Sequence, residues 1–377
     1  MKVNISVHGR WHAFELANGL QRRGAMGVLA TTYPALVARR FLDPNIELRT
    51  RPILEVRRRL YDRWRIGAKP DLEIATAFAR YAARTVTSGA DILVGWSSGM
   101  LETIAPAHAN GLKVVVERGS THIRNQIRIL GEAYAGFGLT YAGTQDGIVE
   151  RELAEYDAAD AIAVPTRYAA DTFVAEGFAR EKLIVNPYGV DLAGFAPGDR
   201  GVRRGAVRIM SVGRVGIQKG TPWLIDAVAQ LDKKAELHLI GPVDDEAGAF
   251  LGRAGKNVTV RGPLPRSALA AEYAAGDIFC LPSLQEGMPL TLLQAMASGL
   301  PCVVTPAAQG QIRDGVDGIV VRPRSSDEIA AALARLIAAR DERLAMGAAA
   351  RQSVVQGYGW QDYADRALAA YETLRAS

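Results

Sequence analysis

The chain has 377 residues, 49% of them apolar and 23% charged, with a net charge of +5. That profile excludes a disordered chain and gives ample core, and the length suits two domains of ordinary size. No apolar run approaches the ~18 residues of a membrane span, and Cys280 and Cys302 fit no metal-ligand spacing, so they read as small buried hydrophobes of a reducing compartment.

Strand and helix patterns alternate from the start. Met1-Lys2 leads straight into VNISVHG, so no leader is expected and the expected location is the cytoplasm. A helix begins near Trp11, with Leu16 and Leu20 on one face and Gly24 at its end. GVLATTY is a second strand. Nine arginines then lie between Arg39 and Arg65, with Leu60, Tyr61 and Trp64 among them. This stretch has two readings: a basic, partly aromatic surface for an anionic membrane or acidic substrate, and a solvated helix face paired with Glu55 and Asp62. Nucleic acid is a weaker third, since no binding motif accompanies the patch. Residues 70–88 are expected to form an amphipathic helix, followed by the strands DILVGW, KVVVERG, Ala161 to Val164 and Leu183 to Val185. Continuous apolar strands suit a parallel sheet covered on both faces, so a doubly wound α/β domain is expected over the first half.

Residues 196–206, APGDRGVRRGA, break the pattern and read as a linker. A second series follows, with strands VRIMSVG, ELHLIG, NVTVRG, DIFCLP, PCVVTP and GIVVRP and amphipathic helices between them. The final helix carries Trp360, Tyr363, Ala367, Tyr371 and Leu374, a stripe longer than the second domain needs, so it is expected to pack back on the first. Two such domains would face each other across a cleft at the C-terminal ends of their sheets, where open α/β sheets bind ligands.

Two stretches carry chemistry. In LPSLQEGMPLTLLQAMASGLP, residues 281–301, a strand ends at Pro282-Ser283, a loop carries Glu286 and Gly287, and a helix opens at Pro289. Backbone N–H groups at such a helix start favour an anion; the bland alternative is an ordinary turn with a solvated Glu. In SVGRVGIQKG, residues 211–220, Arg214 and Lys219 lie in a loop between strand and helix. Two cations there suit a pyrophosphate, Arg bidentately and Lys as a point charge. Neither the P-loop pattern nor the dinucleotide fingerprint is present.

Together with VRGPLP, in order and spacing, these stretches resemble the C-terminal domain of GT-B-fold retaining glycosyltransferases of family 4, and NPYGVDLAGFAP (186–197) resembles that family's segment between domains. The likeness runs from about Asp160 to Pro323 and is looser in SVHGRW and ELANGLQRRG. It implies two Rossmann-like doubly wound domains: 1–195 for the acceptor, a linker at 196–206, 207–355 for the nucleotide sugar, and a helix at 356–377 returning to the first domain. It implies that Arg214 and Lys219, beside Gly213, neutralise the donor diphosphate, that Glu286 holds the donor sugar, and that Gly287 and the backbone of Met288, Leu290 and Thr291 complete the phosphate cradle. Leu264 would pack along the nucleobase. The family's second Glu is Gln294 here, which still donates and accepts hydrogen bonds to a ribose with altered selectivity. In the first domain ERGSTH places Glu117, Ser120 and His122 after a strand. His122 is the choice for the sugar and acceptor contact, with Glu117 or Arg118 nearly equal by position. Gly9 would let a phosphate or acceptor approach the backbone, with His8 and His12 nearby.

The implied activity is retaining, metal-independent transfer of a hexose-type sugar from a nucleotide diphosphate sugar to an acceptor hydroxyl, in bacterial cell-surface polysaccharide or glycolipid synthesis. No cofactor is expected. The partners would be the donor, a glycan or lipid-linked acceptor and an anionic membrane at its inner face, with no nucleic acid. The alternatives are a non-catalytic nucleotide-sugar scaffold, favoured by Gln294, and an epimerase of the same fold.

Overall fold

The computed structural model describes residues 1–198, 205–231 and 234–376, and the chain divides into two units. The first comprises Met1–Arg124, Ala142–Asn186 and Trp360–Ser377. Its seven parallel strands are β1 (Val3–Val7), β2 (Met26–Thr31), β3 (Glu47–Thr50), β4 (Ile92–Trp96), β5 (Lys113–Glu117), β6 (Ala161–Val164) and β7 (Leu183–Val185). They lie in the order β3-β2-β1-β4-β5-β6-β7, with Val3 opposite both Met26 and Ile92. β1 and β4 are wholly buried; β4, ILVGW, accordingly reads as an unbroken apolar run, whereas β1, VNISV, buries Asn4 and Ser6 among its apolar residues. β3, at the edge, alternates exposed and half-buried residues.

The second unit comprises Asn125–Tyr141 and Pro187–Gly359. Its strands are β8 (Val207–Val212), β9 (Ala235–Ile240), β10 (Val258–Gly262), β11 (Ile278–Leu281), β12 (Cys302–Val304) and β13 (Gly318–Val320). The order is β10-β9-β8-β11-β12-β13, again all parallel. In each sheet the order reverses at the first strand, between β1 and β4 and between β8 and β11. That reversal opens a crevice at the strands' C-terminal ends.

The units differ from the expected boundaries at three places: residues 187–195 and 356–359 lie in the second unit, and so do residues 125–141. Residues 125–141 belong to the second unit although they precede it in sequence. Phe137 packs on Trp223 and Phe250, with ring centroids 5.7 and 6.4 Å apart, and Tyr134 Oη donates to Glu246 Oε1 at 2.6 Å. Of the expected linker 196–206, residues 199–204 lie outside the described residues. The expected helix over 70–88 runs as Asp71–Ala82; beyond it Thr85 and Thr87 turn their hydroxyls back onto helix carbonyls. The helix Trp360–Ala376 packs in the first unit against the helix Ala13–Arg22. Gly19 there leaves room for Ala364, and Arg23 pairs with Asp365 at 2.5 Å.

Candidate active site

The most chemically distinctive cluster stands at the crevice of the second sheet. β8 delivers the loop 213–220 and β11 delivers the loop 282–289, and glycines let these loops touch. Gly220 has φ 72°, and a Cβ there would lie 2.0 Å from the Pro282 carbonyl oxygen. Between the loops, Leu284 N donates to Gln218 O at 2.9 Å, and the Gln218 amide donates to Gln285 O and Oε1 at 3.2 and 3.1 Å.

This joint brings Lys219 against Glu286: Lys219 Nζ donates to Glu286 Oε1. Ser283 Oγ donates to the same oxygen at 2.9 Å, and Thr305, arriving from the end of β12, donates to the Ser283 carbonyl. The Lys219 and Glu286 side chains are 19% and 10% exposed, a depth at which an unpaired charge would be costly. Both sequence-expected residues therefore meet in one place. Ser283, Thr305, Gln218 and Gln285, which sequence reasoning did not single out, hold them there. The only local signal was the Ser-x-x-Glu spacing.

Arg214 takes a different position. It is largely exposed and ion-paired with Asp244, whose carboxyl burial pushes above the usual range while Arg214 opposes the shift. Gly213 leads β8 into the loop, and a Cβ on it would meet the Lys219 side chain at 3.6 Å. Met288 is buried and its sulfur accepts from Tyr188 N at 3.3 Å. Leu290 begins the helix Leu290–Ala297 and is exposed, with Pro289 as the residue before it. Gly287 is buried, while Thr291 and Leu264 are half-buried. Tyr273 Oη lies 3.0 Å from Thr291 O and 3.3 Å from Gln294 Oε1. The Gln294 carbonyl is thus an acceptor for Tyr273, which leaves its NH₂ as the group for other partners.

In the first unit the structure rearranges the expected assignments. His122, expected to reach a sugar, is fully buried. Its ring sits 4.9 Å from Phe173, 5.3 Å from Tyr156 and 5.8 Å from Phe178. Burial lowers its pKa to about 4, so it is a neutral packing group within an aromatic cluster and not the sugar and acceptor contact expected of it. Glu117 is also buried, 3.7 Å from His12 Nε2 and 3.4 Å from Tyr363 Oη. Arg118 turns inward onto Thr121 O and Glu152, both at 3.0 Å. Ser120 is half-buried.

The feature that sequence reasoning missed is the turn 97–100 after β4. Ser98 has φ 68°, a left-handed conformation rare outside glycine. Glu155, fully buried on the helix Asp146–Ala158, accepts from Ser98 N at 2.6 Å, Met100 N at 2.7 Å and Leu101 N at 2.9 Å. Arg151 donates to Ser98 O at 3.0 Å. Ser98 Oγ stands 3.4 Å from His8 Nε2, whose pKa is lowered to about 4 by burial and then by Arg58. Gly9 O accepts from Thr31 at 2.6 Å, and a Cβ on Gly9 would lie 3.0 Å from Trp11 Nε1. The ends of β1 and β4 thus form a stiff rim at the first sheet's crevice.

Known proteins resemble this chain in sequence and in fold. Residues 206–339 match the family described as Glycosyl transferases group 1. The chain is 38% identical over 216 residues to a D-inositol 3-phosphate glycosyltransferase of Kribbella flavida, covering 50% of each. It is 33% identical over 223 residues to an MMP alpha-(1->4)-mannosyltransferase of Mycolicibacterium hassiacum, covering 56% of this chain and 53% of that one. The chain thus spans about half the length of these curated relatives. Among solved structures, Anabaena HepE in complex with UDP and glucose superposes with a TM-score of 0.70 at 14% identity, over 100% of both chains. Residues 206–339 accordingly belong to the glycosyl transferases group 1 family, on a chain that has the GT-B fold throughout.

Proposed function

We propose that the protein transfers a hexose-type sugar from a nucleotide diphosphate sugar to a hydroxyl of a glycan or lipid-linked acceptor, with retention and without a metal. The observation that carries this reading is Lys219 beside Glu286 at the ends of β8 and β11, within the segment that matches the family. Lys219 is placed to meet the donor diphosphate and stabilise the charge that develops on it as the sugar leaves, often the largest single contribution to such catalysis. Arg214 joins it by exchanging Asp244 for phosphate. Glu286, relieved of Lys219 when the donor enters, accepts hydrogen bonds from the sugar hydroxyls. Backbone N–H groups at the start of the helix Leu290–Ala297 add to the phosphate cradle. The relative crystallised with UDP and glucose supports the donor class. Retention follows from front-face attack, in which the departing phosphate helps remove the acceptor proton. With two cations at the diphosphate, no metal is required for its neutralisation.

The test supplies UDP-, GDP-, ADP- and dTDP-sugars with EDTA and follows nucleoside diphosphate release, after a thermal-shift screen has chosen the donor. Release should persist in EDTA and fall by about 10²-fold or more in Lys219→Ala. Loss on chelation, or full activity without Lys219, would defeat the reading. Gln294, half occupied by Tyr273, favours a second reading as a nucleotide-sugar-binding scaffold; binding without any release would select it.

A further inference from the structure

The helix Pro52–Trp64 buries only Leu54 and Glu55. Its other apolar residues point outward: Ile53 is 60% exposed, Val56 45%, Leu60 47% and Trp64 59%, and Ile66 just beyond is 80% exposed. With 3.6 residues per turn, positions 53, 56, 60 and 64 form one continuous stripe, opposite the buried pair. Arg57 and Arg63 flank the stripe, one on each side. Arg58 and Arg59 are turned away, onto His8 O at 2.8 Å and Glu55 at 2.9 Å. Arg57 pairs with Glu73, and Arg63 has no ion-pair partner among the described residues. From Arg39 to Arg65, nine arginines stand against four carboxylates, a surplus equal to the net +5 of the whole chain.

We infer that this helix lies in the interface of an anionic lipid bilayer, with Ile53, Val56, Leu60 and Trp64 among the acyl chains and Arg57 and Arg63 at the lipid phosphates. An exposed apolar stripe bordered by arginine has the chemistry of an interfacial helix. Among the described residues no helix is long and apolar enough to cross a membrane, so the contact is a surface one. Charge decides against a second copy of the chain as the occupant. Pairing two such stripes would bring the flanking arginines of both copies together, whereas anionic lipid neutralises them. The inference extends the lipid-linked acceptor reading but rests on this helix alone, not on sugar transfer.

Co-sedimentation with vesicles tests it. The protein should bind phosphatidylglycerol–phosphatidylcholine vesicles at low salt, and pure phosphatidylcholine weakly, with binding lost at high salt. Arg63→Ala should weaken binding about fivefold, and Leu60→Glu with Trp64→Glu by about tenfold or more. Both sites are exposed, so unchanged unfolding curves will show that the fold is kept. No binding to the anionic vesicles overturns the inference, as does undiminished binding by the double variant. A concentration-dependent dimer that the double variant abolishes, without vesicle binding, assigns the stripe to self-association and also overturns it. Release of nucleoside diphosphate from a soluble donor is measured alongside. Vesicle binding without release leaves this inference standing while the catalytic reading fails, and release without vesicle binding does the reverse.

Discussion

Gly220→Ala probes the joint on which the candidate site depends. Gly220 closes the loop that carries Lys219, and its φ of 72° lies in the left-handed region. An alanine there costs about 1–2 kcal/mol in backbone strain. Its Cβ would also stand 2.0 Å from the Pro282 carbonyl oxygen, where real Cβ atoms keep at least 3.0 Å. The loops after β8 and β11 must then separate by about 1 Å, and a displacement of that size at a reacting centre costs about 10²-fold in rate. Gly315→Ala is the control in the same unit: φ is 75° and nothing lies within 4 Å of the built Cβ, so only the backbone cost applies. Urea unfolding of both variants is measured beside the thermal shift from a nucleotide sugar and the rate of diphosphate release. Gly315→Ala should lose about 1–2 kcal/mol and keep both ligand responses. Gly220→Ala should lose more stability, most of its ligand shift and about 10²-fold in release. If the two variants unfold alike and Gly220→Ala still responds to ligand, the loops do not hold Lys219 against Glu286 as described.

His122 makes the first unit acid-sensitive. Its folded pKa is depressed from 6.5 to about 4, mainly by burial. The unfolded chain therefore binds the proton first as pH falls below 6.5, and the stability present above that pH is lost on the way to pH 4, amounting to about 2 kcal/mol by pH 5. His122→Phe keeps a ring among Tyr156, Phe173 and Phe178, so its urea midpoint should drop less between neutral and acid pH than that of the natural protein; an equal drop would refute the assignment. The docking of the last helix is tested at Gly19, where a Cβ would lie 2.3 Å from the Ala364 Cβ. Gly19→Ala should cost about 1–3 kcal/mol by overpacking, and adding Ala364→Gly should return chemical stability to near the natural value. A double variant no more stable than Gly19→Ala would show that the contact is not what strains the single one.

What was legible in the sequence follows from how local each cause is. β4 and β11 are buried on both faces, so their apolar runs announce them. β3, ELRT, is an edge strand with Glu47 and Arg49 exposed and has no apolar run to read. Residues 125–141 look like part of the first unit, because the groups that draw them into the second, Trp223 and Phe250 for Phe137 and Glu246 for Tyr134, lie far along the chain. The site divides the same way. Lys219 and Glu286 belong to short motifs at strand ends, and strand ends are where open sheets expose side chains. His122 and Glu117 satisfy the same positional rule, yet both are buried. Position tells where the backbone arrives, whereas the direction of a side chain is set by what packs on it; for His122 those are Phe173 and Phe178, some fifty residues later. At the first crevice the determining residue is Glu155, 57 positions from Ser98. A carboxyl group accepting from three backbone N–H groups can hold a left-handed serine that would otherwise relax. The rim of β1 and β4 is therefore shaped by Glu155 and Arg151 of the helix Asp146–Ala158, and this dependence becomes visible only when the chain is folded.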